Sequence, residues 1–309
     1  MWFSIPSDSP EISDEIASFD SATLQRLPVT KQQVVSRFSE LGNRQAVRVA
    51  RNIAERDGQL DPDAVDRILI TSHAEMQRIS EEFQHGHRVR ELLVPLLQCL
   101  RTQFSTRIRI VDIGCGTGFV IRWLAKQGRL GPDVQLTGVD FNHALVNEAR
   151  RLASIENLDC RFEVANAFSL SEPASIFLST GVLHHFRGEH LLRFFDEHNR
   201  SKAAAFVHFD FQPSVFAPFG SWLFHTIRMR EPLAKHDGVL SAIRAYDQNH
   251  LLNVARSKAS DFRCAMYSSR VWRLPLSRVF HAVLGIREPL LESFIAALGR
   301  RRIRIGAFQ

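Results

Sequence analysis

A chain of 309 residues, 45% hydrophobic and 23% charged, is long enough to bury a full core and has the composition of an ordinary globular protein. No run approaches the roughly 18 to 20 apolar residues of a membrane span, and the formal charge of +6 is not gathered with stacking aromatics, which weighs against a nucleic-acid partner. Cys99, Cys115, Cys160 and Cys264 lie far apart without a CxxC pair, which weighs against a zinc site or disulfide framework and fits a reducing, cytoplasmic setting. The opening Met1-Trp2-Phe3-Ser4-Ile5-Pro6 has neither the basic region nor the apolar core of a signal peptide.

From Ser7 to Asp20 the chain is acidic, rich in serine and proline, and lacks lysine or arginine, so residues 1–22 are expected to be a mobile acidic tail. Leu24 to Arg56 and Asp61 to Ile79 look helical, and Asp61-Pro62-Asp63 supplies a cap residue followed by proline at the first helical position. With Arg90 to Arg101 these stretches predict an N-terminal helical cap over residues 23–103. The polar stretch Glu81 to Arg88 interrupts the pattern, and His85 and His87, two residues apart, do not share a helix face and make a poor metal pair.

The stretch Arg107 to Gly118 organises the rest. Apolar residues run from Ile108 to Ile113, glycines follow at 114, 116 and 118, and a helical pattern (Phe119, Val120, Trp123, Leu124) begins at once. Glycine lets the backbone turn at positive φ and lets a ligand approach, and the helix that opens beyond it suits an anionic group. The Gly-x-Gly-x-Gly spacing differs from the dinucleotide pattern, and Asp112, inside the strand end, can receive an ammonium group. A second apolar run, Val134 to Val139, ends in Asp140-Phe141, an acid placed for a ribose diol beside an aromatic placed to cover a purine. A purine nucleoside carrying an amino acid fits all parts. A tight turn without a ligand would explain the loop alone, but not the loop, helix, second strand and terminal acid in register.

On these residues the sequence resembles the class I S-adenosylmethionine-dependent methyltransferases, whose first motif reads much like Val111 to Gly118. The resemblance implies an α/β, Rossmann-like, mostly parallel seven-stranded sheet with the last strand antiparallel, here with the N-terminal helical cap and an inserted helical lid. It implies S-adenosyl-L-methionine as cofactor, held by Asp112, Gly114, Cys115, Gly116, Gly118, Asp140 and Phe141. In such enzymes the segment entering the core often folds over the cleft, which would bring His85, His87 and Arg88 to cofactor or substrate; a polar helix junction accounts for the same residues.

Asn142 to Ala153 reads as a helix capped by Asn142, and Cys160 to Val164 as a short strand. The strand leads to Asn166-Ala167-Phe168, where resembling enzymes place an acid or amide against the adenine; a plain loop is the alternative. The fourth strand, Ala174 to Ser179, runs into Thr180-Gly181-Val182-Leu183-His184-His185-Phe186, at the carboxyl end of a central strand where ligands bind in open α/β sheets. A similar segment occurs in the resembling small-molecule methyltransferases of the ubiquinone and menaquinone biosynthesis type. No Asp/Asn-Pro-Pro-aromatic motif is present, and no acid follows the strand as in magnesium-dependent catechol methyltransferases, so no metal is expected.

Gly188 to Asn199 reads as an amphipathic helix and Ala203 to Phe209 as the fifth strand, with Asp210 at its end on the cleft side. Phe211 to Tyr246 is too long for an ordinary crossover and too apolar for disorder, so it is expected to be a lid at about 211–246 within a methyltransferase domain spanning 104–309. Trp222, Asp237, Arg244 and Tyr246 are its candidate acceptor contacts, with Asp210, His87 and Arg88. His184, His185 and His236 are candidates for the base, since a neutral imidazole takes a proton near neutral pH.

Asp247 to Ser257 is expected to be a helix, and Phe262 to Ser268 and Val271 to Leu276 the final strands. Arg278 to Leu284 and Glu288 to Leu298 look like terminal helix, and the basic end Arg300 to Arg304 suits either a solvated tail or an anionic membrane surface. The expected function is methyl transfer to an O or C atom of a small, largely apolar acceptor (phenolic, polyketide-like or isoprenoid) by a monomer or homodimer. A protein or sugar methyltransferase and a non-catalytic cofactor-binding module are the alternatives.

Overall fold

A computed structural model describes residues 9–103, 107–169, 174–214, 217–268 and 279–308. Seven strands form one sheet: β1 (Ile108–Ile113), β2 (Val134–Asp140), β3 (Arg161–Val164), β4 (Ile176–Thr180), β5 (Ala205–Phe211), β6 (Phe262–Ser268) and β7 (Phe280–Arg287). Their spatial order is β6-β7-β5-β4-β1-β2-β3. The pairs among β1 to β5 are parallel, and β7 runs antiparallel to both β5 and β6. The chain reverses its winding between β1 and β4, so their carboxyl ends open a crevice where ligands bind in such sheets.

Both faces are covered, which is why the strands read as near-continuous apolar runs. On one face lie α5 (His85–Gln103), α6 (Phe119–Gln127), α7 (His143–Ile155) and α12 (Glu288–Leu298), with Leu92, Leu93, Leu96 and Leu97 buried against Ile110, Leu178 and Phe294. Each such side chain contributes about 1.5 to 3 kcal/mol by leaving water. On the other face lie α8 (Glu189–Arg200) and α11 (Gln248–Lys258), where Phe194, Phe195 and Leu251 pack on Phe177 and Phe206.

A third apolar cluster belongs to the N-terminal part. It joins α1 (Ile12–Ile16), α2 (Lys31–Glu40), α3 (Arg44–Asn52) and the start of α4 (Pro62–Glu82) to Leu145 of α7 and Leu233 of α10 (Pro232–Arg244). Helix α9 (Ala217–Arg228) packs on α10, and the two fill the inserted region after β5. No helix among the described residues is long and apolar enough to cross a membrane.

The structure differs from the sequence expectations in four places. Residues 9–22 are not a free tail: Ile12 and Ile16, one helical turn apart, are buried, and Ser18–Phe19 pairs with Arg26–Leu27. Residues 1–8 lie outside the described part. The stretch Leu24 to Arg56 is not one helix, because Gly42 turns at φ +67° and Asn43 caps α3 by accepting the Ala46 N–H at 3.0 Å. Residues Phe280 to Leu284 are strand, not helix: a short apolar run buried on both sides carries no period that separates the two. The proposed strand Val271 to Leu276 falls outside the described residues, and Asp210 lies within β5 rather than beyond it.

Candidate active site

The loop after β1 turns on three glycines at positive φ, Gly114 (+68°), Gly116 (+54°) and Gly118 (+76°). At Gly114 a Cβ would meet Val182 Cγ2 at 2.7 Å, and at Gly116 it would meet His73 Nδ1 at 2.7 Å. The loop is therefore closed to side chains for reasons of both conformation and space. Asp140, at the end of β2, holds the loop: its Oδ2 accepts the Gly116 N–H and its Oδ1 the Asn142 N–H, both at 2.9 Å. Burial raises the Asp140 carboxyl, and the loop amides work against that rise.

Asp112 is 1% exposed, and its Oδ1 has no hydrogen-bond partner among the described residues. Burial first, then the nearby Asp140 charge, push its carboxyl well above the usual range. An unpartnered buried acceptor beside a glycine cradle fits the ammonium and carboxylate of an amino acid, which would restore the Asp112 charge. Cys115 lies in the loop, its amide N–H donating to Val139 O at 3.0 Å; burial, then the Asp140 and Asp112 charges, push its thiol well above the usual value, which disfavours the thiolate.

Just beyond β2, Phe141 is 51% exposed and its ring meets Phe19 edge-on at 5.2 Å. Asn166 donates from Nδ2 to Ser21 O at 2.8 Å and accepts the Phe168 N–H at 2.9 Å. Ala167 and Phe168 pack on the core behind, with Phe168 against Phe186 at 5.2 Å. The N-terminal segment thus crosses both residues read from sequence as purine contacts.

Beyond β4, Thr180 ends the strand and a single turn (Leu183–His185) carries the two histidines. Asp210 accepts from the His184 backbone N–H and from His184 Nδ1, each at 2.8 Å. His184 Nε2 then faces Glu11 Oε1 at 3.6 Å, while His185 Nδ1 lies 3.0 Å from Asp14 and 3.8 Å from Glu11. Burial opposes charge on His185, but the Glu11 carboxylate and then Asp14 raise its imidazole to about 9. Asp14 is held well below the usual carboxylate range: burial works against this, and His185 and Arg244 overcome it. Arg244 Nη1 meets Asp14 at 2.6 Å, and Asp237 anchors the same segment by accepting the Ile12 and Ser13 N–H groups at 2.9 Å.

Residues 110–202 match a family model described as a methyltransferase domain. This span of the chain is a methyltransferase domain. Curated relatives of this methyltransferase domain include malonyl-[acyl-carrier protein] O-methyltransferase of Bacillus cereus, 30% identical over 89 residues that cover 28% of this chain and 32% of the relative. The Bacillus anthracis enzyme of the same description is 24% identical over 120 residues, 38% of this chain and 43% of the relative. The chain therefore spans less than half the length of these curated relatives. Among solved structures, the plantazolicin methyltransferase BpumL, in complex with a monoazolic desmethylPZN analog and SAH, has the same fold at TM-score 0.52 and 17% identity, over 74% of this chain and 91% of that one.

Several candidates read from sequence stand elsewhere in the methyltransferase fold. His236 is 0% exposed, with Nε2 on Asn43 at 2.8 Å and Nδ1 on Asp237 at 2.7 Å, so it braces α10 against the N-terminal helices and is withdrawn as a base. His87 is exposed and sits edge-on to Trp123 at 4.7 Å, and Arg88 donates from Nε to Phe83 O at 2.9 Å. Trp222 pairs with Phe219 on α9, and Tyr246 donates to Phe186 O at 2.7 Å. Sequence reasoning missed Glu11, Asp14, His73 and His281. His281 stands opposite Asp210 in the β5–β7 pair, is fully buried, and has neither ring nitrogen hydrogen-bonded among the described residues. The one available signal for Glu11 and Asp14 was the spacing of Ile12 and Ile16, an amphipathic turn inside an otherwise acidic stretch.

Proposed function

We propose that the chain methylates an O or C atom of a small, largely apolar acceptor. When bound, S-adenosylmethionine supplies an electrophilic methyl group on a sulfonium. Asp112, Gly114 and Gly116 would hold its methionine part, Asp140 the ribose, and Phe141 with Asn166 the base. The chain's own task is then placement, because fixing an acceptor about 3 to 3.5 Å from the methyl carbon can supply roughly 7 to 11 kcal/mol of the barrier.

One observation carries the acceptor class. A row of aromatic rings runs from Phe224 of α9 through Phe83, Phe280 and Phe211 to His184, with successive centroids 5.6, 5.7, 5.2 and 5.7 Å apart. Aromatic walls with a few convergent polar groups suit an apolar ligand bearing one reactive polar atom. His184, fixed by Asp210, stands at the inner end of the row, and His281 offers unused ring nitrogens on the adjoining strand. The polar end formed by His184, His185 and Glu11 is where the reactive polar atom of the acceptor would lie. Phe219, Leu223 and Ile227 leave an apolar stripe exposed on the same helix as Phe224, which favours a lipid-soluble acceptor.

The test is incubation of the purified chain with methyl-labelled cofactor and a cell extract. Label in a small lipid-soluble product supports the proposal. Label on protein selects an acceptor borne on a carrier protein, the substrate type named for the Bacillus relatives. Cofactor binding without any labelled product contradicts both.

A further inference from the structure

We propose that Glu11, His184 and His185 form a binding site for one divalent metal ion of the zinc class. Their ligand atoms, two imidazole nitrogens and a carboxylate oxygen, all lie within 4.8 Å of one another. Two imidazoles with one carboxylate, leaving a position open, is a donor set that zinc accepts in catalytic sites. The Glu11 carboxylate stands 3.6 Å from His184 Nε2 and 3.8 Å from His185 Nδ1. Both separations exceed a hydrogen bond and lie slightly above the roughly 3.3 Å between neighbouring ligands of a tetrahedral ion at 2.0 to 2.1 Å.

Three further features point to a cation. Asp210 accepts from His184 Nδ1 at 2.8 Å, which fixes the tautomer and turns the Nε2 lone pair toward Glu11. A carboxylate behind a ligating imidazole is the usual support of a metal-bound histidine. The 3.6 Å between Nε2 and Glu11 Oε1 is then bridged by a positive centre, either a proton on Nε2 or a bound ion that replaces it. Charge is compatible with an ion: the carboxylates of Glu11, Asp14, Asp210 and Asp237 converge on this region, set against Arg244 and a proton on His185 that a bound ion would displace. Finally, His185 and Asp14 are 34% and 32% exposed, which gives an ion a route from solvent and makes Asp14 available as a fourth ligand.

Spacing along the chain argued against a metal because no acid follows the fourth strand. The fold supplies the missing acid from the far N-terminus. An ion held there would sit at the inner end of the aromatic row, where an acceptor oxygen would reach it, and would clamp the N-terminal segment over the cleft.

The 309-residue chain, stripped with chelator, is titrated with Co2+ and with Zn2+ by calorimetry and visible spectroscopy. One ion per chain is expected, with the strong visible bands of four- or five-coordinate cobalt that zinc then abolishes. Glu11→Gln and His185→Ala should each weaken binding about 100-fold or more, and Asp210→Asn about 10- to 100-fold. Failure to take up either ion, or uptake unchanged in folded Glu11→Gln and His185→Ala proteins, overturns the proposal. If those variants do not fold, proton NMR of the cobalt-loaded parent decides: two hyperfine-shifted imidazole N–H signals support the site, and one or none overturns it. None of these readouts depends on methyl transfer.

Discussion

Asp210 grips His184 twice, through the backbone N–H and through Nδ1, each at 2.8 Å, so the imidazole and the turn that carries it are fixed by one buried carboxylate from the neighbouring strand. Asp210 itself is held below the usual carboxylate pKa: burial opposes this, and the His184 charge and hydrogen bond outweigh it. Replacing Asp210 with Asn keeps the shape but reverses one hydrogen-bond preference. We expect kcat to fall roughly 100-fold or more, with cofactor affinity unchanged, since the residue acts on the acceptor side. Equal loss of cofactor binding in calorimetry would show that Asp210 supports the whole cleft instead.

Gly116→Ala tests the glycine loop. The new methyl would stand 2.7 Å from the His73 ring at a φ of +54°. The conformation alone costs about 1 to 2 kcal/mol, and the loop must move away from Asp140. A lower Tm together with at least tenfold weaker cofactor binding is expected; a variant with parental affinity would remove the loop from the binding account.

The N-terminal segment is expected to depend on Asp237, whose carboxylate takes the first two N–H groups of α1. Asp237→Ala removes this cap, a change worth about 1 kcal/mol, and also takes a partner from buried His236. Limited proteolysis should cut the variant within residues 9–30 several-fold faster than the parent. A cutting rate equal to the parent's would mean that the apolar contacts of Ile12 and Ile16 hold the segment without the cap.

A second histidine group predicts the acid response. His198 Nδ1 donates to Phe194 O, His208 Nε2 then donates to His198 Nε2, and the Ser179 hydroxyl completes the line at His208 Nδ1, at distances of 2.8, 2.9 and 2.9 Å. This arrangement requires both rings neutral. Burial pushes His198 down to about 4 and His208 well below its ordinary value. Burial likewise pushes His73 to about 4 and His85 to about 3. The unfolded chain takes up these protons near pH 6.5 and the folded chain does not, so their contribution is full above that pH and is lost as pH falls toward 4. For His198 the loss is roughly 3 kcal/mol. Tm should drop steeply between pH 6.5 and 4, and less steeply in His208→Phe; an unchanged slope in that variant would contradict the assignment.

The parts of this fold legible in sequence are those encoded locally. The glycine loop with Asp112, the strand ending in Asp140, and the cap Asn142 arise from a few adjacent residues whose backbone needs are specific. Less legible are the elements decided by distant partners. Residues 9–22 have the composition of a disordered tail, yet Ile12 and Ile16 find a buried site through contacts with α10 that no local pattern reveals. Phe280 to Arg287 is apolar on both faces, so only its place between β5 and β6 makes it a strand. His236 and His184 look equivalent in sequence, and only the fold assigns one to a helix interface and the other to the strand tips.

Calorimetric titration of the purified chain with S-adenosylhomocysteine tests the central claim, that the tips of β1 and β2 hold the cofactor. One equivalent per chain should bind with measurable heat, and Asp140→Ala, which removes both the loop anchor and the carboxylate placed for the ribose, should weaken binding at least tenfold. No heat with the parent protein, or the same affinity in a folded Asp140→Ala variant, would contradict the account.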